Sequence, residues 1–239
     1  MREEAMSGAV LFPGTSARAE MRRRERSVPE AEGWNPEDFA REQIRGLVRK
    51  VFFSNVERPV RQVVFSALDA ETDVKSICRS VGEALAEETV SNVAVVGEYP
   101  EVLPDAEMYQ AEASGRSSGN GSAPLGRAAI RVRGNLWLVP AAEREGDRGA
   151  TALLHSHLGE MRKEFEYSIV EGPPAGESNQ ATAMAQFADG IILVLSADRT
   201  RRITARKIME MLEGAEARIL GTVLSDRIFP IPDRIYRRL

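Results

Sequence analysis

Two spots in this chain carry residue types suited to holding charged ligands. Lys75 and Ser76 stand where an apolar run gives way to a helical pattern, and Glu171 closes another apolar run before Gly172, Pro173 and Pro174. Taken alone, the first is a solvated helix start and the second a strand that ends in a polar turn. His155 and His157 lie two apart in a predicted helix and so point to different faces, which argues against a shared metal, and no zinc spacing occurs. The sequence has no serine nucleophile elbow and no supported cysteine–histidine pair. The lone cysteine, Cys78, falls in an apolar helical pattern and reads as a small buried hydrophobe. Arg199, Arg201, Arg202, Arg206 and Lys207 make a basic helix start. It is a solvated face or a contact for an acidic partner or the inner membrane surface.

The elements that must position these residues follow from hydrophobic periodicity. Asn35, Pro36, Glu37 and Asp38 form a helix start, and Ile44, Leu47, Val48, Val51 and Phe52 recur at helical spacing, so a first helix is predicted over 36–53. Gln62 to Ser66 reads as a buried strand, followed by a helix with Val74, Ile77, Cys78, Val81 and Leu85 on one face. Strands are predicted at 92–96, 136–139, 167–170, 191–195 and 218–224, and helices near 150–165, 180–188 and 200–213. Apolar strands alternating with amphipathic helices imply an α/β fold, a mostly parallel sheet flanked by helices on both faces. In such sheets ligands bind beyond the carboxyl ends of the strands, which points to the loops after Ser66, Val96, Val170, Leu195 and Leu224.

Composition bounds the rest. With 239 residues, 43% hydrophobic and 28% charged, the chain has the makeup of one globular domain, expected over 35–239. Residues 1–34, with Arg22, Arg23, Arg24 and Arg26 diluted by glutamates, read as a disordered basic arm. Residues 110–127 have flexible-linker composition, and Gly119 and Gly121 are a weak match to a dinucleotide fingerprint. A formal charge of −4 gives no general pull toward nucleic acid. No apolar run approaches the roughly 20 residues that span a bilayer, so a cytoplasmic protein is expected, with peripheral contact at the inner face of the membrane as the alternative.

Read in order, the loops give SALDAETDVKSI, VVGEYPE, IVEGPPAGESN and GTVLSD. With FEYSIVEGPP, FADGIILVLSADRTRR and ARILGTVL, they resemble the bacterial tyrosine kinases of capsular exopolysaccharide synthesis, relatives of the ParA/MinD-type ATPases. The resemblance runs from about Phe39 to Leu224 and implies a P-loop NTPase fold. Members usually read TSA and then PGEGKST at the first loop. Here Ser66 and Ala67 match the beginning and Lys75 and Ser76 the end, while Leu68 to Val74 contain no glycine and two extra residues.

The resemblance assigns Lys75, Ser76 and Ser225 to a vestigial nucleotide site, Ser225 standing where the family has the Asn that reads adenine. Glu98 and Glu171 take the places of catalytic and metal-organising acids, and Ser76 and Glu171 would hold magnesium if it binds. The acid positions depart from the family: Val96, Gly97, Glu98 and Tyr99 replace VDAD, and Glu171 replaces an aspartate. A phosphate loop turns successive backbone NH groups inward and needs residues without a Cβ, so Val74 before the lysine is a poor choice. Asp69, Glu71 and Asp73 would each oppose a triphosphate by about 3 kcal/mol at about 5 Å and an effective dielectric of about 20.

These departures lead to the expectation of a degenerate, pseudokinase-like member that binds no cofactor. It would serve as a regulatory or scaffolding partner of a membrane chain-length regulator, the polysaccharide co-polymerase. The rival is an active tyrosine autokinase that uses ATP and Mg2+, with Tyr236 as phosphoacceptor. A ParA-like partitioning ATPase is the third reading. The family's ring-assembly motif on the first helix matches at Glu42 and Arg45, but Val48 stands at its third place and Arg49 one beyond, which bears on homo-oligomer formation.

Overall fold

Six of the apolar runs form strands of one parallel layer. In the computed structural model, which describes residues 9–11, 36–54, 57–97, 129–141 and 150–226, the elements in chain order are β1 (Ala9–Leu11), α1 (Pro36–Val48), β2 (Gln62–Ala67), α2 (Val74–Glu88), β3 (Val93–Gly97), β4 (Ile130–Arg133), β5 (Leu136–Pro140), α3 (Ala150–Glu164), β6 (Tyr167–Glu171), α4 (Asn179–Phe187), β7 (Gly190–Ser196), α5 (Arg202–Gly214) and β8 (Ile219–Ser225). The sheet order is β1-β8-β7-β2-β6-β3-β5-β4, parallel throughout except for the β4–β5 pair.

Alternate strand residues feed two cores. Val63, Phe65, Val95, Ile169 and Val194 pack under α1 and α2, whereas Val64, Val96, Val170, Ile191 and Leu193 pack under α3, α4 and α5. Burial on both faces is why β2, β3, β6 and β7 read as continuous apolar runs rather than alternating ones. The start of β2 is tied down by polar groups. Buried Gln62 bonds Leu158 O and Ser168 Oγ and accepts from Arg162, whose guanidinium also reaches Asp189 at 2.8 Å.

Three features differ from expectation. Ala9–Leu11, inside the stretch read as a disordered arm, pairs with β8 in parallel register. The apolar run before Phe12 and Pro13 meets an otherwise unpaired sheet edge, a tertiary opportunity that local composition does not announce. β4 turns back on β5 through Gly134 and Asn135, and its Ile–Arg–Val–Arg alternation suits a half-buried edge strand. The first helix reaches Phe53 as expected, but its last stretch, Arg49–Phe53, is a π-helical turn. The linker 110–127 lies outside the described residues.

Candidate functional site

The carboxyl ends of five neighbouring parallel strands, β8, β7, β2, β6 and β3, meet along one edge of the sheet, with Ser225, Ser196, Ala67, Glu171 and Gly97 as their last residues. Parallel register sets Ser196 beside Ser225 and Glu171 beside Phe65. Lys75, Ser76, Glu171 and Ser225, scattered over 150 positions of sequence, therefore belong to one edge. Glu98 and Tyr236 lie outside the described residues, as do Tyr99 and Tyr109.

At the head of α2 the residue chemistry is decided by Asp73. Its Oδ1 accepts the Ser76 amide at 3.0 Å and its Oδ2 accepts the Ser76 hydroxyl at 2.6 Å, so a side chain of the protein caps the helix. Asp69 Oδ1 in turn accepts from Glu71 N and Thr72 Oγ1, and Glu177 accepts from Ala70 N at 3.3 Å. In a glycine-rich phosphate loop the backbone amides face a ligand. Here the amides of Ala70, Glu71 and Ser76 face carboxylates of the chain itself. Lys75 is half-buried on the first turn of α2, and Ser76 is exposed.

The loop after β6 lies against the loop after β2. Gly172 N, Ala175 N and Gly176 N donate to the carbonyls of Phe65, Ala67 and Leu68, and Ser66 Oγ donates to Pro173 O at 2.6 Å. A Cβ at Gly176 would overlap the Leu68 carbonyl oxygen, so this close approach requires glycine. Gly97 plays a comparable part toward Glu171. A Cβ there would overlap Glu171 Oε2, so the longer acid on β6 fills the space that a side chain at 97 would need.

Arg199 joins three loops. Its guanidinium reaches Glu71 Oε2 at 2.7 Å, Glu71 O at 3.2 Å and Asp226 Oδ2 at 3.7 Å, and its Nε reaches Ser196 Oγ at 3.3 Å. Asp226 holds a left-handed backbone, φ 55°, directly after Ser225, whose buried hydroxyl donates to Leu195 O and reaches Asp226. Beneath the edge Cys78 is fully buried. Desolvation, with smaller pushes from the Glu171 and Asp73 charges, raises its thiol well above the ordinary range.

The hub at Arg199 escaped the sequence reading, which took it for one member of a basic patch; its partners come from loops 128 and 27 positions away. The Asp73 cap was within reach, because an aspartate directly before a run of helical apolar positions is a start signal. His155 is exposed and edge-on to Phe187, and His157 is half-buried. Among the described residues no group of acids, histidines and cysteine could hold a metal ion, and no helix is long and apolar enough to cross a membrane. Arg45 and Arg49 pair with Glu87 and Glu88 of α2 at 3.1 and 2.7 Å.

No protein-family model matches the chain. A stretch of 74 residues is 31% identical to the tyrosine-protein kinase CpsD of Streptococcus agalactiae serotype III (strain NEM316), covering 31% of this chain and 32% of that protein. The match thus spans about a third of the length of that curated relative. The kinase domain of the Escherichia coli tyrosine kinase ETK superposes with a TM-score of 0.66 at 15% identity, covering 95% of this chain and 94% of that one. The cell division protein MinD of Aquifex aeolicus superposes with a TM-score of 0.51 at 16% identity, over 74% and 72% of the two chains. A third of the sequence is thus similar to a bacterial tyrosine kinase, and nearly the whole chain has the P-loop NTPase fold seen in the ETK kinase domain and in MinD.

Proposed function

We propose that this chain is a degenerate member of the bacterial tyrosine kinase family that works without nucleotide, as a regulatory or scaffolding partner in exopolysaccharide synthesis. The observation that carries the reading is the Asp73 cap. The amide and hydroxyl of Ser76, the groups the resemblance offers to phosphate and magnesium, are both engaged by an internal carboxylate. Displacing that carboxylate would expose a negative charge beside the incoming triphosphate, with Asp69 and Glu71 close by in sequence. The residues present do not fit a magnesium–nucleotide complex, and the site is proposed to hold no cofactor. A membrane chain-length regulator is the partner this reading implies, with the domain on the cytoplasmic side.

Titrating the purified protein with Mg-ATP by calorimetry, beside an intact relative, is expected to give no heat; clear micromolar binding would refute the reading. The rival, an active autokinase, draws on Lys75 and Glu171 sharing one sheet edge. Transfer of radiolabel from ATP onto the protein, lost in Lys75→Met and in Tyr236→Phe, would establish it instead.

A further inference from the structure

α5 begins with the wrong charges for a helix. Its first turn holds no acid, and Arg201 at the N-cap makes no side-chain cap bond. Arg201, Arg202, Arg206 and Lys207 nevertheless crowd into that cap and the first two turns. A helix is electropositive at this end, so the cations sit where the dipole opposes them. None of the four pairs with a carboxylate among the described residues, in contrast to Arg199 just before them. All four are exposed, and Ile203 between them is 72% exposed. The helix buries only Ala205 and Leu212.

The chain also leaves β8 at this corner, since Asp226 lies 3.7 Å from Arg199. The sequence that follows it interleaves Ile228, Phe229, Ile231, Ile235 and Leu239 with Arg227, Arg234, Arg237 and Arg238, against the single acid Asp233. Cations interleaved with aliphatic residues therefore continue in sequence after the corner at which α5 presents them in structure.

We propose that the exposed start of α5, Arg201 to Lys207 with Ile203 at its centre, docks on the surface of an anionic lipid bilayer. Lipid headgroups satisfy the cations, and the headgroup–acyl boundary takes Ile203 out of water. Nucleic acid would satisfy only the cations, and the patch offers no aromatic ring on which a base could stack. A net charge of −4 gives the molecule as a whole no attraction to such a surface, so contact needs a local cationic patch such as this corner. Docking stands whether or not the loop at α2 admits nucleotide.

The test is co-sedimentation of the full chain with phosphatidylcholine vesicles containing about a third phosphatidylglycerol, beside pure phosphatidylcholine, at about 0.1 M salt. Binding to the anionic vesicles is expected to be at least about tenfold tighter. Arg202→Glu, Arg206→Glu and Lys207→Glu together should reduce it by about tenfold or more, with thermal stability kept or raised because acids suit a helix start. The triple Gln variant gives the same readout if the charge-reversed chain folds poorly. Ile203→Ser should weaken vesicle binding about threefold with charge unchanged. Equal binding to both vesicle types, full binding by the triple variants, or binding of duplex DNA but not of vesicles would each overturn the proposal.

Discussion

Asp73 decides more at the head of α2 than the Lys75–Ser76 pair that first draws attention. Removing its carboxylate in Asp73→Ala should lower stability by about 1 kcal/mol in urea unfolding, and Asp73→Asn by less, because Asn caps nearly as well. The ion pair from Arg199 to Glu71 contributes less, since the Glu71 side chain is 77% exposed and solvent screens it. Cys78 should resist alkylation in the folded protein and react only on unfolding, as burial keeps the thiolate from forming. His157 links stability to pH. Burial lowers its imidazole below the usual 6.5, so on acidification the unfolded chain takes the proton first. Its contribution is present above that value and is lost as the pH falls below it. Melting curves between about pH 7.5 and 5.5 should show a decline that is shallower in His157→Gln.

Between elements, the strand-end loops fit one another through glycine. Gly97 and Glu171 make a coupled pair on β3 and β6. Gly97→Ala should push the Glu171 carboxylate aside at a cost of about 1 kcal/mol or less, since the overlapping Oε2 ends a flexible side chain, and combining it with Glu171→Ala should remove that cost, a non-additivity visible in a double-mutant cycle. The two positions therefore read as one change rather than two. Sequence comparison of each loop separately could register both departures, but only the adjacency of β3 and β6 makes them complementary. β1 and β4 were hidden for a related reason: three or four residues carry too little periodicity, and a sheet edge elsewhere supplies the missing half of the signal.

For the molecule as a whole, burial predicts an uneven resistance to opening. Amides of β2, β3, β6 and β7, covered on both faces, should exchange slowest with solvent, and those of α5, which buries two side chains, should exchange early. A uniform exchange profile would contradict this ordering. The sequence by itself determined the α/β class, the parallel core strands and the sheet edge on which Lys75, Ser76, Glu171 and Ser225 fall, because apolar periodicity and chain order are local quantities that parallel connections translate into position. It also recorded that the first loop lacks glycine. Only the tertiary structure decided what the groups of that loop touch: Asp73 on Ser76, Glu177 on Ala70, and Arg199 drawn between Glu71 and Asp226. Hydrogen bonds and ion pairs between loops depend on distances of a few ångströms between residues far apart in the chain, and no spacing in the sequence encodes those.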